Sequence, residues 1–177
     1  MKPLTNNFFS KNPEIVARKL LGKILIRKLS NQTFKAKIVE TEAYLGEKDP
    51  ASRASKGKNK VSELMWSSPG TIMIYNVHKY KMLNFVTGKS GEPSAVLIRA
   101  VEPLNFKART NGPGLLTESL NITKYLHGKN ITNNKHLCII NNSEKHEILK
   151  GSRIGVTKDL SKPLRFYIKD NDYVSRK

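Results

Sequence analysis

Phe34-Lys35-Ala36-Lys37-Ile38-Val39-Glu40-Thr41-Glu42-Ala43-Tyr44-Leu45-Gly46 is the stretch on which the fold turns. Side chains alternate between the two faces of an extended chain, so Phe34, Ala36 and Ile38 share one face while Lys35 and Lys37 share the other. Carried on at period two, the Phe34 face receives Glu40, Glu42 and Tyr44. An apolar strand face that runs into two carboxylates sets pattern against polarity, and such conflicts tend to mark functional sites. Alternation alone does not choose between Glu40 and Glu42.

Outward from this strand, most signals are extended. Upstream, Asn12 can cap a helix, Pro13 suits its first turn and Glu14 favours the positive end of the dipole. Val16 with Leu20 and Ala17 with Leu21 repeat at helical spacing before Gly22 supplies a stop. Ile24-Leu25-Ile26 reads as a strand and Ser30-Asn31-Gln32 as a turn. Downstream, Gly46 to Ser62 is polar and cationic and reads as a long surface loop. Strands are predicted at Thr71–Tyr75, Met82–Val86 and Ser94–Val101. A polar tip, Asn76 to Lys81, joins the first two, and a hairpin-type turn, Gly88 to Gly91, precedes the third. Gly112-Pro113-Gly114 opens a short helix through Leu120. Asn121 to Asn134 reads as loop with some helix, and late strands fall near Leu137–Asn141 and Leu164–Ile168. Strands joined by hairpins rather than helical crossovers predict one α+β domain over residues 1–177.

The chain has 177 residues, enough for one real core, and carries 32 Lys and Arg against 14 Asp and Glu, a formal charge of +18. Such an excess points to a polyanionic partner, nucleic acid before a membrane surface; a Lys-rich genome is the plain alternative. No run approaches the roughly 20 apolar residues that span a bilayer, and the first residues lack the apolar core of a signal peptide, so an intracellular location is expected. Cys138 is the only cysteine, the four histidines show no ligand spacing, and Gly88-Lys89-Ser90 lacks the upstream glycine of a phosphate loop. No metal or cofactor is expected.

The inward carboxylates allow a definite chemistry. Hydrolysis of an N-glycosidic bond passes through an oxocarbenium-like state, which needs a nearby negative charge and a base for water. Glu42 or Glu40 could supply both, and Arg99, on the face of Ala95, Leu97 and Val101, could hold the water. A purely structural ion pair accounts for the same residues. Tyr44 follows Glu42 on its face, and Tyr75 ends a strand just before the tip. Enzymes that act on a base take it out of the duplex and stack it, and tip residues can wedge into the gap. Tyr44 and Tyr75 also suit an ordinary core edge. Lys58 and Lys60 lie in a stretch suited to phosphate contact or simply to water.

Here the residues resemble a known family, the alkyladenine (3-methyladenine) DNA glycosylases. Ile38 to Gly46 is similar to the family's signature strand, and Asp49-Pro50-Ala51-Ser52 to the loop after it. Pro69-Gly70-Thr71, Ile74-Tyr75 and Leu83-Asn84 resemble its hairpin region, and Leu97 to Pro103 its arginine-bearing strand. Gly112-Pro113-Gly114-Leu115-Leu116-Thr117, Arg153-Ile154-Gly155-Val156 and Lys162 to Tyr167 match in the same order, so the resemblance covers nearly the whole chain.

The resemblance implies a curved antiparallel β-sheet with a protruding DNA-intercalating hairpin and peripheral helices. It implies a monofunctional glycosylase of base excision repair, working as a monomer on double-stranded DNA with a damaged purine. It assigns the water-activating base to Glu42 and the water's other partners to Arg99 and the Ile154 carbonyl. Tyr44 and Tyr75 would sandwich the flipped base, and Asn84 would screen it.

Three departures stand out. Arg53 replaces the family's usual histidine beside the base; it can stack and donate but cannot accept. The tip Tyr75-Asn76-Val77-His78-Lys79-Tyr80 is one residue short of the family pattern, so counting from Tyr75 puts His78 at the wedge and counting back from Asn84 puts Val77 there. We favour His78, with Lys79 and Tyr80 also at the DNA. Leu115 replaces a lysine and removes a DNA contact. The competing functional class is a DNA-binding protein on the same fold with little or no catalysis.

Overall fold

The computed structural model describes residues 2–176. Its strands are β1 (Ile24–Lys28), β2 (Thr33–Tyr44), β3 (Ile72–Val77), β4 (Tyr80–Val86), β5 (Ala95–Pro103), β6 (Leu137–Ile140), β7 (Ile148–Gly151) and β8 (Arg165–Ile168). They form one sheet ordered β3-β4-β5-β2-β1-β6, with β8 added to β2 and β7 to β8. All pairings of these strands are antiparallel. The sheet branches at β2, whose Thr33–Lys37 half pairs with β1 while Glu40–Glu42 pairs with β8. Two different neighbours along one edge make the sheet curl.

The expected helix forms as α2 (Pro13–Leu20), after the short α1 (Asn6–Phe9) that the sequence reading did not contain. The Asn12 side chain accepts from the Glu14 N–H, which satisfies one of the donors a helix start leaves free. Val16, Ala17 and Leu20 of α2 are fully buried against the sheet. The predicted helix after Gly112 forms as α3 (Pro113–Ser119), whose Leu116 is buried in the same core. No helix of the described residues is long and apolar enough to cross a membrane.

The uninterrupted alternation expected for β2 does not hold. Ile38 pairs with Val101, Glu40 with Ala100 and Thr41 with Ile98. Val39 is therefore an extra residue on β2, and Arg99 an extra residue on β5. Each is a bulge, and the second restores the register that the first displaces. A one-residue slip flips side chains to the other face. Ala36 and Ile38 consequently belong to the main core with α2, whereas Glu40, Glu42 and Tyr44 turn away from it. Thr41, between the carboxylates, confirms the direction: its hydroxyl donates to the Ala17 carbonyl of α2 at 2.9 Å.

The two faces thus have separate contents. One carries α2, α3 and the main core. On the other, a smaller cluster of Ala54, Met65, Met73 and Ala95 is packed by Leu64, Trp66 and Tyr75. The long loop predicted from Gly46 to Ser62 contains a 3-10 turn at Arg53–Lys56, and a second follows at Glu63–Trp66. Gly46 turns the chain into that loop at φ 99°, and a Cβ there would lie 2.3 Å from the Pro93 carbonyl oxygen. Only glycine fits.

Candidate active site

Cross-strand partners lie side by side on one face of a sheet. Met73, Asn84, Leu97, Glu42 and Arg165 form such a row across β3, β4, β5, β2 and β8. Asn84 and Glu42 are two strands apart in this row, roughly 10 Å at ordinary strand spacing. Tyr44 and Tyr75 stand on the same face, one at the end of β2 and the other near the end of β3. Five positions expected from the sequence (Glu42, Tyr44, Tyr75, Asn84 and Arg99) are therefore gathered on the face that the helices leave open.

The two carboxylates have different surroundings, although both are fully buried. Glu40 Oε1 accepts from Arg99 Nε at 3.1 Å, Arg165 Nη1 at 3.1 Å and the Ser175 hydroxyl at 2.9 Å. Its Oε2 accepts the Ser175 backbone N–H at 2.6 Å. Glu40 is thus occupied in tying β2 to β5, β8 and the C-terminal segment. Glu42 Oε1 accepts the Ile154 backbone N–H at 2.7 Å and faces Arg99 Nη1 at 3.3 Å, while Oε2 accepts the Tyr44 hydroxyl at 2.8 Å. Arg99 Nη1 also lies 3.5 Å from the Ile154 carbonyl oxygen, which joins Glu42, Arg99 and Ile154 in one small circuit.

Burial dominates the electrostatics. It pushes the Glu42 carboxyl above its ordinary value, against the opposing effects of Arg99, the Ile154 N–H and the Tyr44 hydroxyl; Glu40 adds a smaller push upward. The Tyr44 phenol is raised well above its ordinary value, first by burial and then by the Glu42 charge. Burial also raises Tyr75, while Arg53 and Asn84 act to lower it. A carboxylate with a raised pKa is a better proton acceptor than an ordinary one, provided the pH keeps it ionised.

A second buried cation, Arg153, sits against the Tyr44 ring. Arg153 forms a two-pronged bond to Asp49, Nη1 to Oδ2 at 2.6 Å and Nη2 to Oδ1 at 2.7 Å. It also reaches Asp159 Oδ1 at 2.5 Å and the Ala43 carbonyl at 2.9 Å. Its guanidinium carbon lies 4.7 Å from the centroid of the Tyr44 ring. Asp49 in turn accepts the Leu45 N–H, so one arginine fixes the end of β2, the following loop and the segment that brings Ile154 to Glu42. Arg153, Asp49 and Arg165 lie within motifs that match the family, but local sequence assigns them no role. An Asp-Pro pair four residues beyond Leu45, with a distant Arg next to Ile154, was the available signal.

Arg53 is exposed, and its guanidinium carbon lies 4.8 Å over the Tyr75 ring. Asn84 is buried, and its amide donates to the Met82 carbonyl at 3.1 Å. The tip is tighter than the expected Asn76–Lys81 segment. β3 and β4 pair through Val77 with Tyr80, which leaves His78-Lys79 as a two-residue turn. His78 is exposed with φ 52°, and Val77 is half-buried. Tyr80 rests on α3, so closely that a Cβ on Gly114 would lie 2.5 Å from its ring. Lys79 Nζ stands 5.2 Å from the same ring. Lys58 and Lys60 are exposed on the loop whose Ala54 packs on the site face.

A buried carboxylate–arginine pair flanked by tyrosines on the open face of a basic α+β sheet has the parts to activate water beside an aromatic guest. Known proteins narrow that class. A model of the methylpurine-DNA glycosylase family matches residues 7–172. A relative from Aeropyrum pernix is 36% identical over 98% of this chain and 93% of its own length. One from Legionella pneumophila strain Paris is 39% identical over 99% and 100%, and one from Bacillus licheniformis 38% identical over 99% and 97%. All three carry the name "Putative 3-methyladenine DNA glycosylase". The chain belongs to the methylpurine-DNA glycosylase family.

Proposed function

We propose that this protein is a monofunctional glycosylase that hydrolyses the N-glycosidic bond of a damaged purine flipped out of duplex DNA. The carrying observation is the unequal use of the two carboxylates. Glu40 is consumed by two arginines and Ser175, whereas Glu42 faces the tyrosine wall and carries a raised pKa. Glu42 is the base; Arg99 and the Ile154 carbonyl hold the water beside it. The water oxygen bonds to the sugar C1′ as the bond from C1′ to the purine nitrogen breaks, and that electron pair leaves with the base. Glu42 takes the water's proton. A base made cationic by alkylation leaves neutral, whereas a neutral base leaves as its anion and takes a proton from solvent. The products are an abasic sugar and a free purine, and Glu42, ionised until it takes the proton, stabilises the oxocarbenium-like state.

Tyr44 and Tyr75 stack the purine, and Asn84 lines its edge. Alkylated purines, hypoxanthine and ethenoadenine are the substrate class. On DNA, His78 enters the gap left by the flipped base, Val77, Lys79 and Tyr80 support it, and Lys58 and Lys60 meet phosphates. The protein works as a monomer inside the cell, in base excision repair, without metal or cofactor.

The test is direct. Duplexes carrying 3-methyladenine, 7-methylguanine, hypoxanthine or ethenoadenine are incubated with the protein, and alkali then cleaves abasic sites. Excision that vanishes in Glu42→Gln supports the proposal. Tight DNA binding with no excision of any lesion would instead identify a binding protein on the same fold.

A further inference from the structure

Both aromatic walls of the site already hold a guanidinium. Arg153 lies 4.7 Å from the Tyr44 centroid and Arg53 lies 4.8 Å from the Tyr75 centroid. Ring faces attract cations, so an unoccupied pair of tyrosines would favour a cationic guest. The two arginines are not equivalent. Arg153 is neutralised by Asp49 and Asp159. Arg53 has no carboxylate within 4.0 Å among the described residues and bonds instead to Tyr75, so its charge beside the ring is not directly paired.

We propose that Arg53 sets a charge preference at the base site, favouring neutral purines with free O6 and N7 acceptors over purines made cationic by alkylation. The inference rests on the glycosylase reading above and names its substrate class. Two effects point the same way. A purine stacked on Tyr75 lies within several ångströms of the guanidinium, where a positive base is repelled and a neutral one is not. A guanidinium also pairs well with the O6 and N7 acceptors of a purine. Hypoxanthine presents both; 7-methylguanine is cationic and has lost N7. Because Arg53 is exposed, solvent screens the repulsion, and about a 3- to 10-fold discrimination is expected at moderate salt.

Single-turnover excision by the full chain measures this. Two duplexes of identical sequence carry one hypoxanthine or one 7-methylguanine, and each variant's rate is divided by the wild-type rate on the same lesion. That ratio cancels the different intrinsic lability of the two bases. Arg53→Gln should raise the 7-methylguanine ratio over the hypoxanthine ratio by about 3- to 10-fold, and the gain should shrink in high salt. Arg53→His supplies an adjustable charge: it should behave like glutamine at pH 8 and move towards arginine at pH 5.5. Equal changes on both lesions, or a shift towards hypoxanthine, overturn the proposal while leaving the glycosylase reading intact. Failure of the wild-type chain to excise any lesion removes that reading and this one with it.

Discussion

Substituting the two carboxylates one at a time should change stability in opposite senses. Glu40→Gln keeps the shape and removes the charge. Arg99 and Arg165, each 6% exposed, then lose the anion they share, and one of the Ser175 donors faces an amide in place of an acceptor. Removing one partner from a buried ion pair costs about 3–5 kcal/mol. At roughly 2–4 °C per kcal/mol for a chain of this size, Tm should fall by about 6–20 °C. Glu42→Gln differs. Its oxygen can still accept the Ile154 N–H, and Arg99 keeps Glu40 at 3.1 Å. The Glu42 pKa is raised, so the folded state binds its proton more tightly than the unfolded state does. Stability from this group is therefore greatest below its unfolded pKa and falls as pH rises towards the folded one. At pH 7.5 the Gln variant escapes that penalty and should melt at or above the wild-type temperature; near pH 4 the advantage should vanish. Thermal unfolding followed by circular dichroism at the two pH values decides it. Equal losses in both variants, or a larger loss in Glu42→Gln, would refute the division of labour between the carboxylates.

The same raised pKa predicts an acidic limb in the rate of excision with its midpoint above the ordinary glutamate range, and Arg99→Gln should move it higher because that guanidinium acts to lower the Glu42 pKa; a limb that stays in place in Arg99→Gln would contradict the contact. Arg153→Met should lower Tm by about 6–20 °C, as for other broken buried pairs, since Asp49 would be left buried without its partner; thermal melts comparing it with Arg165→Met show whether the two clamps are of similar weight. At the tip, His78→Ala should weaken base flipping, read by 2-aminopurine fluorescence opposite the lesion, more than Val77→Ala does, because His78 is exposed at the turn while Val77 still belongs to β3. The reverse order would put Val77 at the wedge.

Local residue types made much of this fold readable. The capping asparagine, Pro13 and the spacing of Val16 and Leu20 located α2, and alternation located β2. What stayed hidden was set by partners distant in sequence. Nothing near Val39 announces a bulge; its register is imposed by β5, some sixty residues on. The Phe34 side was therefore expected to carry Glu40 and Glu42, and it does not. β7 has few local signals and forms because β8 offers it an edge. At the site, the expected Glu42, Arg99, Ile154 and Tyr44 are in contact, yet the environment that separates Glu42 from Glu40 comes from Arg165 and Ser175. The single-sequence pattern could show two carboxylates but could not show which one the C-terminal segment would consume.

The paired bulges explain how one strand serves both a core and a polar site. Without them, Ala36, Ile38, Glu40 and Glu42 would share a face, and a strand packed on α2 would drive two carboxylates into the apolar core, each at a cost of several kcal/mol. Val39 takes up one residue and sends the carboxylates to the face that the helices leave open. Arg99 takes up one residue on the facing strand and restores the pairing, so Thr41 and Ala43 return to the core. The residue that corrects the register is also the cation that the displaced carboxylates need. Arg99 reaches Glu40 at 3.1 Å and Glu42 at 3.3 Å from the same irregularity. Geometry and charge balance are therefore settled by one local event, and a buried pair of like charges becomes tolerable without moving the rest of the sheet.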